Sequence, residues 1–369
     1  MKSQVYFCET CGTELAEDEA ILFGHHYYCE QCLDEDTVHC NHCGARVWGD
    51  DNAGTDRDPL CYRCYENYYT SCEDCGRIIH QDYAHYFDDD DYPYCESCYE
   101  TRNSSCIKEY NYKPDPIFYG EGERFFGVEL EIDEAGKDSD NAECILNAGN
   151  VGGKHIYIKS DGSLNHGMEI VTHPMTLNHH KNSMPWEAVC KEAIRLGYKS
   201  HKTQTCGLHI HVNRDTFGET REIQDERISR VLYFVEHHWN ELLRFSRRTE
   251  KAMNRWAARY GYKNEPQDIM KNAKNSCNGR YACVNICNWN TVEFRMFRGT
   301  LKLNTLLAAI ELVDLICQLA ITLTDKEIKE ISWSSFVATI SADEYSELIQ
   351  YLKERQLYTN EPVNYEEDD

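Results

Sequence analysis

The sequence predicts an α+β protein: three small tandem four-cysteine modules, then an antiparallel sheet with packed helices. Three observations predict it. Cysteine pairs recur every 32 residues through residues 1–100, strand-like runs after residue 125 alternate ionisable with apolar side chains, and apolar helical segments follow.

The cysteine sets are Cys8, Cys11, Cys29 and Cys32; then Cys40, Cys43, Cys61 and Cys64; then Cys72, Cys75, Cys95 and Cys98. Each opens Cys-x-x-Cys-Gly, with Gly12, Gly44 and Gly76 after the first pair, and closes on a second Cys-x-x-Cys. A glycine there suits a knuckle whose backbone amides turn toward thiolate sulfur. Two knuckles over one tetrahedral ion make a closed structural site, so three Zn²⁺ ions are expected over residues 8–32, 40–64 and 72–98. His25, His26, His80 and His85 could stand in for a thiolate, but twelve cysteines already complete three sites. The modules resemble zinc ribbons or the halves of LIM domains. Units this small depend on metal to fold and usually carry recognition, seldom chemistry.

Twenty cysteines in 369 residues would suit a secreted disulfide scaffold, but residues 1–12 have no apolar run of the kind a signal sequence needs. Closely spaced pairs in a reducing compartment read as metal ligands, and a cytoplasmic location is expected. The formal charge of −25 is uneven: residues 1–100 hold 23 Asp or Glu against 5 Lys or Arg. Zinc bound by four thiolates adds negative charge, so phosphate backbones would be repelled and nucleic acid is not an expected partner. A basic or neutral protein partner fits better. Asp88 to Asp91 reads as a solvated loop.

Residues 101–124, with Lys113-Pro-Asp-Pro116, lack periodicity and are expected to be a linker. A second domain is expected over 125–330, and a helical extension with an acidic tail, 365–369, over 331–369. In the second domain, Phe126 to Asp133 places Glu129, Glu131 and Asp133 on one face and Val128, Leu130 and Ile132 on the other. His155 to Lys159 and Gly167 to Thr172 flank Ser160-Asp-Gly-Ser163, a hairpin signal, and Glu169 points away from Met168 and Ile170. Cys206 to Asn213 sets His209, His211 and Asn213 opposite Leu208, Ile210 and Val212. Thr291 to Arg298 sets Glu293 and Arg295 opposite Val292, Phe294 and Met296.

Taken singly, each strand suits a sheet with one solvated side. Together, Glu-x-Glu, His-x-His and Glu-x-Arg are unusual for a face that normally carries Lys, Thr and Ser. Carboxylates converging on one face repel unless a cation lies between them, and an oxygen-rich cluster with one imidazole suits Mg²⁺ or Mn²⁺ better than Zn²⁺.

The apolar run Leu306 to Leu323 carries Glu311, Asp314 and Gln318 on one stripe and reads as an amphipathic core helix, not a membrane span. Glu226 to Arg247 and Tyr345 to Glu354 are further packing helices. Gly152-Gly-Lys-His155 lacks the spacing and the Ser/Thr of a phosphate-binding loop. His211 and Cys206 have no visible base or nucleophile partner and read as packing groups. Cys144, Cys190, Cys277, Cys283, Cys287 and Cys317 have no metal-ligand spacing.

In this order, the runs GVELEID, DGSL, MEIVTHP, CGLHIHVN, RYACVN and TVEFRMFRGTL resemble the amidoligase family, over residues 125–325. That family belongs to the carboxylate–amine ligases with a glutamine-synthetase-like catalytic fold. The resemblance implies an antiparallel sheet curved around a metal–ATP site, with Mg²⁺ or Mn²⁺ as the ion. Glu131 and Glu169 would hold one ion, and Glu129, His209 and Glu293 a second. Arg295 would face the phosphate or the activated acyl group, with Arg298 and Arg280 as further phosphate contacts. No counterpart is visible of a further glutamate that follows the third strand in the glutamine synthetases.

The implied activity is ATP-dependent amide or isopeptide formation, with the zinc modules selecting a protein or peptide substrate. The alternative is a zinc-scaffold binding protein whose ligase-like domain only binds nucleotide. The complete charged set favours the enzyme. The sequence leaves the oligomeric state open.

Overall fold

A computed structural model describes residues 5–87, 91–104, 106–203, 205–276 and 279–359. It divides into two compact units, Met1–Ser104 and Ser105–Asp369. Asp88 to Asp90, Cys277 and the acidic stretch 365–369 lie outside the described residues.

In the first unit each module begins on a short hairpin and ends on a short helix, Glu30–Asp36, Tyr62–Tyr68 or Glu96–Ser104. The first cysteine pair sits in the hairpin turn. There Gly12, Gly44 and Gly76 take φ of 73°, 73° and 68°, a left-handed conformation that glycine adopts without strain. Their amides donate to the carbonyls of Cys8, Cys40 and Cys72 at 2.8, 2.8 and 2.9 Å. The second pair opens the helix: Cys29 is an N-cap whose sulfur accepts the amide of Cys32.

The modules adjoin without spacers, because the residues that cap the first two helices, Thr37 and Tyr69, already begin the next hairpin. Each apolar core is tiny, Leu15, Tyr28 and Leu33 in the first module and Leu60 in the second. Trp48 of the second module packs edge-on against Phe23 and Tyr28 of the first, with centroids at 5.0 and 5.3 Å.

The second unit is built on a seven-stranded sheet. In chain order its strands are β1 Ile107–Lys108, β2 Phe126–Ile132, β3 Ile156–Lys159, β4 Met168–Thr172, β5 Gly207–Asn213, β6 Val284–Asn285 and β7 Thr291–Arg298. The spatial order is β6-β7-β5-β2-β4-β3-β1, antiparallel throughout except for β1 beside β3. The α+β class follows. One face is apolar, with Val128, Leu130, Ile158, Ile170, Ile210 and Phe294 all fully buried beneath the helices.

Three expectations change. Residues 105–124 are not a linker: β1 joins the sheet, the Ser160 amide donates to Lys108 O at 2.8 Å, and Tyr119 exchanges amide bonds with Pro174 and Thr176. A two-residue strand has no periodicity to read. The helix expected over 226–247 is two, Arg221–His237 and Trp239–Ser246, broken at His238.

Of the polar stripe on Leu303–Thr322, Glu311 is buried, Asp314 half-buried and only Gln318 exposed. Glu311 is wholly buried against Lys181 Nζ at 2.6 Å, while Asp314 and Gln318 hold the Arg124 guanidinium at 2.7 and 2.9 Å. This helix is long and apolar enough to cross a membrane, and 83% of its most apolar window is buried inside the unit.

Finally, β7 is not regular. Leu208 pairs with Phe297 but Ile210 pairs with Phe294, so Arg295 and Met296 together oppose His209 in a β-bulge. Strict alternation would turn Arg298 into the core. The bulge turns it to the same face as Glu293 and Arg295.

Candidate active site and zinc centres

Three quartets of thiols each lie within 4.8 Å of one another, and they are the three sets read from the spacing. Sulfur–sulfur separations are 3.9 Å for Cys11–Cys29 and 3.8 Å for both Cys43–Cys61 and Cys75–Cys95. A tetrahedron of Zn–S bonds of about 2.3 Å has edges of about 3.8 Å. A disulfide would hold the same atoms at about 2.0 Å. The Cys11 amide, with others, draws the Cys8 thiol down to about 6, while Cys29 and burial push the Cys32 thiol of the same quartet up, as expected of thiols crowded together without a cation between them. The donor sets fit structural zinc, and no histidine is required.

In the second unit the sheet pairing itself assembles the other site. Across β2, Glu131 lies opposite Glu169 and Glu129 opposite His209; between β5 and β7, His211 lies opposite Glu293. His209 Nδ1 is 3.3 Å from Glu129 Oε2 and 3.8 Å from Glu293 Oε1, and its Nε2 is 3.9 Å from Glu131 Oε1. His211 Nε2 is 3.3 Å from Glu129 Oε1 and 3.8 Å from Glu293 Oε1.

A solvated face would leave these groups open to water. Instead Glu131, Glu169, His209 and Glu293 are 3–5% exposed. The groupings with metal-ligand proximity include Glu129–Glu169–His209 and Glu129–His211–Glu293, with Glu129 common to both. His211 is therefore a member of the cluster and not merely a packing group. Its signal was the His-x-His alternation itself.

The electrostatics are those of a site short of positive charge. Burial, reinforced by Glu129, pushes the Glu169 carboxyl well above the usual range, against the pull of Lys159 at 3.8 Å. Burial also works against ionised Glu129 and Glu293, yet the two histidines hold both carboxyls below the usual range, helped at Glu293 by Arg295. His211 Nε2 is buried without a hydrogen-bond partner among the described residues. Four carboxylates and two imidazoles, one of whose ring nitrogens lies between two of the carboxylates, fit one or two hard divalent cations.

Neutral donors complete the setting. Asn285 and Asn288 amides donate to Glu293 Oε2 at 2.8 and 3.3 Å, and the Gly207 amide donates to Glu131.

Arg295 pairs with Glu293 and leaves its Nε without a partner. Arg280 lies over the Tyr110 and Tyr281 rings at 5.8 and 5.1 Å, and Arg295 lies 6.0 Å from Tyr281. Tyr110 also meets Lys159, at 5.5 Å. Arg298 donates to Thr203 O at 3.2 Å. Tyr110 carries no pattern that marks it in sequence, and Asn285, the last residue of the RYACVN run, was not singled out there. Cys206 does behave as a packing group: burial pushes its thiol up to about 12.

Asp133, expected on the ligand face, does other work. It is fully buried and accepts the amides of Glu134, Asn165 and His166 and the Thr205 hydroxyl. Asp133→Ala would orphan these donors at the rim of the site. It is expected to cost about 3–5 kcal/mol in chemical denaturation. A loss under 1 kcal/mol would show that water replaces the carboxylate.

A family model described as "Putative amidoligase enzyme" matches residues 130–317, just over half of the chain. Among solved structures, the chain is similar to a bifunctional glutathione synthetase from Pasteurella multocida. That match has 14% identity and a TM-score of 0.34, covering 64% of this chain and 47% of that one. No curated protein matches.

Proposed function

From the premise that this chain belongs to the amidoligase family, we propose that it is an ATP-dependent carboxylate–amine ligase. The observation that carries the reading is the gathering, on one sheet face, of buried Glu131, Glu169, Glu293 and His209 with half-buried Glu129 and His211, and with Arg295 beside them. Acids gathered this tightly away from water call for cations, and a triphosphate brought to them needs the same cations.

In the proposed reaction the substrate carboxylate attacks the γ-phosphorus of ATP, giving an acyl phosphate and ADP. An amine then attacks the acyl carbon, inorganic phosphate leaves with the C–O bonding pair, and the amine loses a proton as the amide forms. Glu129, Glu169, His209, His211 and Glu293 would hold Mg²⁺ or Mn²⁺, which supplies charge neutralisation for the phosphates. Glu131, held by the Gly207 amide and close to His209, completes that wall. Arg295, paired with Glu293 and with its Nε buried without a hydrogen-bond partner among the described residues, would present a planar fork to the transferred phosphoryl group. Arg280, over Tyr110 and Tyr281, and Arg298, at the far end of β7, would contact the phosphates or the second substrate.

The zinc unit is proposed to recognise a protein or peptide substrate, basic or neutral, through its acidic surface and exposed Phe7, Leu22, Tyr62 and Tyr83. Its thiolate sites suit a reducing compartment such as the cytoplasm.

The test is mass spectrometry of a host lysate, and of carboxylate and amine mixtures, incubated with ATP and Mg²⁺. The expected result is a product lighter than its two partners by one water, with ADP in equal amount. Bound but unconsumed ATP, with no such product in any mixture, would put the binding-protein reading in its place.

A further inference from the structure

Beyond the carboxylate cluster, the second unit gathers positive charge in one place. Arg244, Arg247, Arg248, Arg298 and Arg355, with His201, line an open pocket of about 430 Å³. Their hydrogen bonds within the chain go mostly to neutral oxygens. Arg248 and Arg298 donate to the carbonyls of Phe297 and Thr203, Arg355 to that of Arg244, and Arg244 to the Gln356 side chain. Among the described residues none of the five is ion-paired, and the nearby acid Glu354 is taken by Lys302 at 2.8 Å.

The crowding is visible in the neighbours. Burial, then Arg247, Arg298 and Arg355, push His201 down to about 4. Burial, with Arg295 and Arg298 adding, draws even Arg248 down to about 10 against the pull of Glu131. Five gathered cations repel one another unless an anionic ligand joins them.

The shape of the pocket narrows the ligand. Guanidinium forks suit carboxylate and phosphate alike. Among the described residues, Leu243 is the one apolar side chain in the lining and, apart from His201, no ring is present on which a nucleotide base could stack. The volume suits two or three linked acidic groups.

The pocket also adjoins the carboxylate cluster. A Cβ at Gly207 would collide with Arg248 Nη2, and would lie 2.8 Å from His209 Nε2 and 3.4 Å from Glu131 Oε2. Glycine at 207 is what lets the pocket wall and the cluster meet.

We propose that this arginine pocket binds the carboxylate substrate through acidic groups additional to the one that reacts, so that the substrate is a non-aromatic polycarboxylate such as an acidic peptide end. Its role as a substrate site rests on the ligase reading; its affinity for acidic peptides does not.

Calorimetry on the zinc-loaded full chain, with triglutamate, triglutamine and inorganic tripolyphosphate, tests it. Triglutamate is expected to bind and triglutamine not, with affinity falling at about 0.5 M salt. Arg355→Gln removes one fork. Asn240→Glu places a carboxylate in the pocket from an exposed position near a helix N-terminus, where acid is tolerated, so it guards against misfolding in the first variant. Each is expected to weaken triglutamate roughly tenfold, the size of one charge-assisted hydrogen bond.

Triglutamate binding no tighter than triglutamine, or unchanged in both variants, would overturn the proposal. So would tripolyphosphate that binds more tightly than triglutamate and is displaced by ATP, since the pocket would then hold phosphates. ATP binding and turnover on the same proteins separate the two readings. Triglutamate bound without any nucleotide turnover would sink the ligase and leave the acidic-peptide site standing.

Discussion

A strong chelator is expected to release three zinc ions per chain and unfold residues 5–104, while a fragment spanning 105–369 keeps its melting temperature. The first unit cannot hold itself together otherwise. Its cores are Leu15, Tyr28 and Leu33, then Leu60, then Tyr94, each wrapped around a thiol quartet. Structural zinc contributes about 10–16 kcal/mol per site, against a total stability of about 5–15 kcal/mol for an ordinary domain. The second unit has its own extensive core and no thiol quartet among its described residues.

Trp48 gives the readout. It is the tryptophan of the first unit and packs on Phe23 and Tyr28, so its emission should shift red as zinc leaves. Elemental analysis giving one zinc or none in fresh reduced protein, or an unchanged Trp48 environment after chelation, would refute the expectation. The fragment has to begin before Ile107, because β1 pairs with β3.

The second large effect separates two neighbours on β7. Glu293→Gln keeps the shape and the Asn285 bond but removes a buried charge that holds the cation. Turnover is expected to collapse and to recover in part as Mg²⁺ or Mn²⁺ is raised, because the defect is one of occupancy. Arg295→Lys keeps the charge but loses the fork, so its rate should fall by roughly a hundredfold with nucleotide binding little changed and no rescue by metal. ADP release across a Mg²⁺ series, with melts to check folding, distinguishes them. Wild-type rates in both variants would mean that the buried cluster has no part in turnover.

What could be read in advance was whatever repeats locally. Cysteine pairs at fixed spacing and side chains at period two are set within a few residues, so the thiol quartets and the faces of Glu129, Glu169, His209 and Glu293 were legible. Contacts between distant segments were not. Tyr110 and Arg280 meet across 170 positions, and Arg124 reaches Asp314 across 190. Neither pair has a periodic signature, and that is why residues 101–124 read as a linker and why the partners of the stripe on Leu306 to Leu323 could not be read. The polarity of Glu311 was legible; its burial against Lys181 was not.

The bulge at Arg295 and Met296 has a consequence for how this gene can change. β7 carries one codon more than its pairing with β5 needs, and Met296 is the surplus, buried in the core. Losing that codon would leave Glu293, Arg295 and Arg298 all on the face they now occupy, at the cost of one packed side chain. Losing a codon between His209 and His211 would reverse every side chain on one side of the deletion and take the cluster apart. Length variation of one residue is therefore absorbable at 296 and ruinous a single strand away.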